Sequence, residues 1–184
     1  MFTENATRIG TLGNHVDDAT CSIMAAKSIN EPVIIVPFKE FELIVDPLIN
    51  GCVDAMLVPG ADPFITKFIM NDRLYVQNVF TYIIPSLVFA SKHPESKSEY
   101  ETLFNHPATN VLIGDLDIKW LNQINVSSNS EACLNVLQNV DECSAITNSA
   151  SAQQHGLYIH KVLRDSINMP FVIFVKNKGG IEHE

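Results

Sequence analysis

Three short polar segments carry side chains able to hold an anion or move a proton. The first is Gly13 followed by Thr20 and Ser22. A strand that ends in glycine and passes through a loop into a helix aims backbone N–H groups at one point. Hydroxyls there add donors suited to a carboxylate or phosphate. The same hydroxyls are equally the ordinary caps of a helix start. The second segment is Ser127-Ser128-Asn129-Ser130, a hydroxyl cluster before another helix and open to the same two readings. Two facing helix N-termini can hold a dianion with few Lys or Arg. The third is Val58-Pro59-Gly60-Ala61-Asp62, where a strand stops at Pro-Gly and feeds a helix. Such turns lie at the cleft rim in α/β folds. Asp62 is either a proton-bearing group at that rim or the cap of the next helix.

The remaining chemistry is sparse. His15 sits beside Asp17 and Asp18 and is a candidate proton carrier. That spacing matches many solvated loops, so no metal site is assigned. His93 and His106 precede prolines and read as surface residues, and His155 as the C-terminal cap of a short helix. No Walker pattern, full G-x-G-x-x-G or G-x-S-x-G is present.

The elements that must position these residues alternate β-rich runs with helical ones. Strands are expected at Arg8–Gly13, Pro32–Phe38, Cys52–Val58, Arg73–Phe80, Ile83–Phe89, Val111–Gly114, Ser144–Thr147 and Phe171–Val175. Helices are expected at Ala19–Ile29, where Ala25 and Ala26 offer a tight packing face, and at Lys39–Asn50, stopped by Gly51. Further helices are expected from Asp62-Pro63 to about Met70, at Leu116–Gln123, from the serine cluster through Leu137, and at Ser149–His155 before Gly156. Ser91–Glu99 reads as a linker opening into a helix. After Gly156 the chain reads as a link, a polar turn at Asn168-Met169-Pro170 and a last strand. Asn177 onward reads as a disordered acidic end. This alternation implies a mostly parallel α/β architecture. The grouping gives two lobes, residues 1–84 with 165–184 and residues 85–164, with the last strand returning to the first lobe and a ligand cleft between.

Length and charge bound the function. A chain of 184 residues buries a substantial core. A net charge of −9 excludes nucleic acid, whose phosphates need a basic patch. The same charge obliges a site for an anion to make its own local positive potential. Cys21, Cys52, Cys133 and Cys143 form no C-x-x-C pair and read as buried free thiols. There is no signal-like N-terminus and no apolar run long enough to span a membrane. The expected setting is the cytoplasm, where the sequons at Asn5 and Asn125 are irrelevant.

In this order the segments resemble the prephenate dehydratase superfamily, over residues 8–175. Ala19-Thr20-Cys21-Ser22-Ile23-Met24-Ala25-Ala26 is similar to the family's G-T-F-S-x-x-A-A. Phe41 through Pro59, with Gly51, Asp54 and Val58, is similar to F-x-x-V…G-x-x-D-x-x-x-V-P. Ser128-Asn129-Ser130-Glu131-Ala132 resembles S-T-x-x-A, and His155-Gly156-Leu157 resembles Y-G-L. The resemblance implies two α/β lobes like a type II periplasmic binding protein, with the site between them. Thr20, Ser22, Ser128, Asn129 and Ser130 would then hold substrate carboxylates.

The departures matter as much. The family's Asn-x-Thr-Arg-Phe keeps only its Phe, at Phe171; Met169 and Pro170 stand for the Thr and Arg. Neither substitute donates a hydrogen bond from its side chain. Gly60-Ala61-Asp62 stands where the dehydratases have Glu-Asn-Ser. Ordinary dehydration is not expected. The run Leu57–Leu74 is similar to the L-V-P-N-A-Y-x-G-I-N-x-F-Y-M-D-P-x-L of bacilysin-pathway-type prephenate decarboxylases, which also lack the Thr and do not aromatise the ring. Gly60 and Asp62 replace that pattern's Asn and Tyr. The resemblance thus implies a cofactor-free carbon–carbon lyase acting on a small prephenate-like anion, working as a homodimer in secondary metabolism. Gly60, Ala61 and Met169 would line its pocket, and Asp62, His15 or water would supply the proton. The alternatives are a related small-ligand binding protein without catalysis, or an enzyme of the same fold with another substrate.

Overall fold

The computed structural model describes residues 6–177. The expected acidic end beyond Asn177 lies outside them. Two five-stranded sheets form. The first has the order β2-β1-β3-β10-β4, from β1 (Thr7–Leu12), β2 (Val33–Phe38), β3 (Ala55–Pro59), β4 (Leu74–Ile84) and β10 (Ile167–Lys176). The second has the order β7-β6-β8-β5-β9, from β5 (Leu87–Ser91), β6 (Glu99–Asn105), β7 (Lys119–Asn125), β8 (Cys143–Asn148) and β9 (Tyr158–Arg164). The chain crosses between sheets twice, after β4 and after β9. The final strand does return to the first sheet, antiparallel to both β3 and β4. Each sheet is mixed rather than mostly parallel: β1 pairs parallel with β2 and β3, and β6 with β7 and β8, while β10 and β5 run antiparallel to their neighbours.

The first lobe shows why its pattern was readable. β3 alternates Ala55 and Leu57 into one core with Ile9, Ala25, Ala26 and Phe171, and Met56 and Val58 into another with Phe41, Leu48 and Phe174. Both faces are covered, so the strand is a continuous apolar run. Helix α1 (Cys21–Lys27) buries Ala25 and Ala26 completely, as its small-residue face requires. A 3₁₀ turn at Glu42–Ile44 and α2 (Val45–Ile49) replace the single helix expected over Lys39–Asn50. Pro47 lies within α2, too early in it to break a bond of the ladder. Gly51 follows with φ of 75°, a left-handed conformation that favours glycine at a helix stop.

The second lobe corrects several expectations. No helix follows Ser91–Glu99; the chain bends into β6. Val111–Gly114 belongs to a 3₁₀ helix over Pro107–Asp115, not a strand, and Leu116–Gln123 leads into β7 rather than a helix. The link after Gly156 contains β9. Ile83–Phe89 is split between β4 and β5 by Pro85-Ser86. Asn168-Met169-Pro170 is already strand, opposite Ile83, Tyr82 and Thr81; the link from β9 is only Asp165-Ser166. Pro170 lies opposite Gly60, just past the end of β3, where its carbonyl still accepts from the Gly60 N–H and only a bond outside the strand is forgone. The helical expectations hold for α4 (Asn129–Gln138) and α5 (Ser149–Gln154), with His155 as the C-cap of α5. All four cysteines are free, but Cys52 is exposed and Cys21 only partly buried.

Candidate functional site between the two sheets

A cavity of about 110 Å³ opens where the lobes meet. From the first lobe it is lined by Leu12, Thr20, Cys21, Ser22, Phe41, Pro59, Ala61 and Asp62, with Ile84 and Met169. Leu87, His106, Ala108, Thr109, Ser128 and Asn129 line it from the second lobe's side. No Lys or Arg is among these described lining residues. A second cavity of about 260 Å³ adjoins it, sharing Leu12, Phe41, Asp62 and His106 and adding Lys39, Glu40 and Glu42.

Thr20 caps α1: its Oγ1 accepts from the Ile23 N–H at 3.2 Å and donates to the Leu12 carbonyl at 2.9 Å. Its proton is spent inside the first lobe, so its role is capping. Ser22 is 3% exposed and has no hydrogen-bond partner among the described residues, leaving its hydroxyl free toward the cavity. Ser128 caps α4, accepting from the Glu131 N–H at 3.1 Å, and its own proton is uncommitted. Glu131 completes the cap by accepting from the Ser127 N–H at 2.7 Å.

Asn129 bridges the lobes. Its Nδ2 leans on the Cys21 sulfur at 3.6 Å while its Oδ1 is buried without a partner. An orphaned buried acceptor costs about 1–3 kcal/mol, which a ligand N–H or O–H would recover. Asn148 also donates to Cys21 Sγ, at 3.7 Å. Burial nevertheless pushes the Cys21 thiol up to about 11, so it stays protonated and unreactive.

Asp62 is 8% exposed. Its Oδ1 accepts from the Phe64 N–H at 2.8 Å, closing a local turn; the short helix α3 (Ile65–Ile69) begins later, with no side-chain cap. Asp62 is therefore not the helix cap that its place before Pro63 predicts. Burial, aided by nearby Glu42, holds its carboxyl above the usual range.

Three expected residues fall outside the cavity. His15 is exposed, pairing with Asp17 at 3.4 Å. Ser130 is fully buried against Ser151 at 3.3 Å. Gly60 packs on β10 instead, its N–H donating to the Pro170 carbonyl at 2.7 Å; a side chain there would meet the Pro170 ring at 2.8 Å. Met169 and Ala61 do line the cavity. Sequence reasoning missed His106 and Thr109, because the His-Pro pair reads as a surface break, and missed the aliphatic walls Ile84 and Leu87.

Neither the protein-family models nor the curated proteins contain a match to this chain. Solved structures do match. A prephenate dehydratase from Arthrobacter aurescens, crystallised with L-Phe, superimposes with a TM-score of 0.67 at 14% identity. That match covers 96% of this chain and 62% of that one. The prephenate dehydratase of Staphylococcus aureus subsp. aureus Mu50 gives 0.60 at 10% identity, covering 94% of this chain and 68% of that one. A periplasmic substrate-binding protein of an ABC transporter from Coxiella burnetii gives 0.53 at 15%, covering 92% and 84%. The fold is therefore the two-lobed α/β architecture that dehydratases share with type II periplasmic binding proteins, and the chain spans under two thirds of the Arthrobacter protein.

Proposed function

We propose that this chain is a cofactor-free, non-aromatising decarboxylase of a prephenate-like acid. The observation that carries this reading is Asp62, a buried carboxyl whose pKa burial raises, lining the same apolar cavity as the free hydroxyls of Ser22 and Ser128. Such a setting favours loss of CO₂, because the charge of a carboxylate disperses as its C–C bond breaks. Asp62 then returns a proton to the diene carbon while the bond electrons stay in the ring system, giving a dihydro-hydroxyphenylpyruvate-type acid of the kind antibiotic pathways use. Met169 supplies no hydroxyl to expel water, which fits decarboxylation without aromatisation. We take the lobes as residues 1–84 with 165–184 and 85–164, and the working form as a cytoplasmic homodimer. Purified protein mixed with prephenate is expected to release CO₂ without forming phenylpyruvate. No turnover with undisturbed folding sinks the proposal.

A second reading is a small-ligand binding protein without catalysis. Its support is the absence of Lys and Arg from the described lining of the inner cavity, where a dianion is poorly matched. Calorimetry with prephenate, phenylpyruvate and apolar amino acids separates the two: tight binding without CO₂ release favours the second.

A further inference from the structure

We propose that His106 holds an oxygen of the bound acid through its Nε2–H, a role resting on the reading of a small carboxylic acid between the lobes. His106 and Asp62 each line both adjoining cavities, so they stand at the neck between them, one from each lobe. The ring's tautomer is set by the chain itself. Nδ1 accepts from the Ala108 N–H at 3.2 Å, so in the neutral imidazole the proton sits on Nε2. Burial disfavours the charged form, keeping the ring neutral. Nε2 has no hydrogen-bond partner among the described residues and is not sealed off from solvent.

The turn carrying His106 is held rigidly. Asn105, fully buried at the end of β6, donates through Nδ2 to the His106 carbonyl at 3.0 Å and to Asn110 Oδ1 at 2.8 Å. Gln123 on β7 donates to Asn105 Oδ1 at 3.0 Å. Thr109 Oγ1 donates to the His106 carbonyl at 2.7 Å, so the neighbouring hydroxyl spends its proton on the turn and leaves Nε2–H as the turn's side-chain donor to the cavity. Supporting amides of this kind fix a ligand-facing group. In the inner cavity, whose described lining has no Lys or Arg, a neutral N–H joins the Ser22 and Ser128 hydroxyls as a donor that holds an oxygen without requiring a buried charge.

His106→Asn separates this role from capping. Asn keeps an acceptor for the Ala108 N–H at the same position, as N-cap residues do. It loses the outward Nε2–H. The variant is expected to fold as the parent does and to bind prephenate about 10- to 100-fold more weakly, as for a hydrogen bond to a charged group. In the ¹⁵N-labelled parent, Nδ1 should appear unprotonated and the Nε2 signal should move on adding prephenate. CO₂ release is measured in the same samples. If Nε2 moves and His106→Asn weakens binding without any CO₂, the decarboxylase reading falls and this one stands. If CO₂ is released, Nε2 stays still and His106→Asn matches the parent in kcat and KM, this inference alone falls. If prephenate does not bind, both fall.

Discussion

Two helix starts meet at the cavity, one in each lobe, and they differ in where their protons go. Thr20 accepts from its helix and gives its own proton to the Leu12 carbonyl, so the first entry is closed on itself. Ser128 accepts in the same way, yet its proton has no partner among the described residues. A capping hydroxyl uses one lone pair for the helix. Whether it can also hold a ligand depends on its donor. Capping and binding are thus alternatives at Thr20 and compatible at Ser128.

Replacing the proton source should have the largest effect. Asp62→Asn keeps an acceptor for the Phe64 N–H and is expected to lower turnover of prephenate by about 10²- to 10⁴-fold, the usual worth of a general acid. Its stability consequence has a definite sign. A carboxyl whose folded pKa lies above its unfolded value binds more protons when folded, so stability falls as pH rises between those two values. Denaturation of parent and variant across pH should therefore show Asp62→Asn gaining at neutral pH and losing that gain in acid.

Ser128→Ala comes next, with about 1 kcal/mol lost from the cap and weaker binding as well. Thr20→Val should cost a similar amount of stability, read from denaturant midpoints, and leave prephenate affinity unchanged. A drop in affinity there would break the contrast between the entries. The smallest stability change belongs to Ser22→Ala, within about 0.5 kcal/mol. Its affinity loss would sharpen the contrast, since Ser22 caps nothing.

The first lobe was legible because its inner strands β1 and β3 are packed on both faces and its turns carry Gly51 and Pro59-Gly60. Among the misread elements of the second lobe are its outer strands. β7 has only Trp120 partly covered and β9 only His160 and Leu163, so neither alternates between core and solvent. Without that alternation, period two is invisible. The apolar run Val111-Leu112-Ile113 misled for the opposite reason: Val111 is 84% exposed in the 3₁₀ helix, so its hydrophobicity reports no burial. Of the site, the serine cluster and Asp62 could be found from turn chemistry. His106 was missed although its Nδ1 contact is a local cap before Pro107, because the Gln123 amide that braces Asn105 behind it exists only once β6 and β7 lie side by side.

Ala19 carries a consequence for timing. Its carbonyl accepts from Asn148 Nδ2 at 2.9 Å and Ser151 Oγ at 2.8 Å, and its N–H donates to Gln154 Oε1 at 2.9 Å. Gln154 also donates to the Asp17 carbonyl at 2.8 Å. These four bonds fasten the loop before α1 to the start and body of α5 in the other lobe, adding to the two chain crossings and to the Asn129 and Asn148 contacts with Cys21. Lobes so fastened cannot rock apart without breaking them, at about 1 kcal/mol for each bond. Loosening this clasp with Gln154→Ala is therefore expected to raise the off-rate of a bound molecule without touching any residue of the cavity wall.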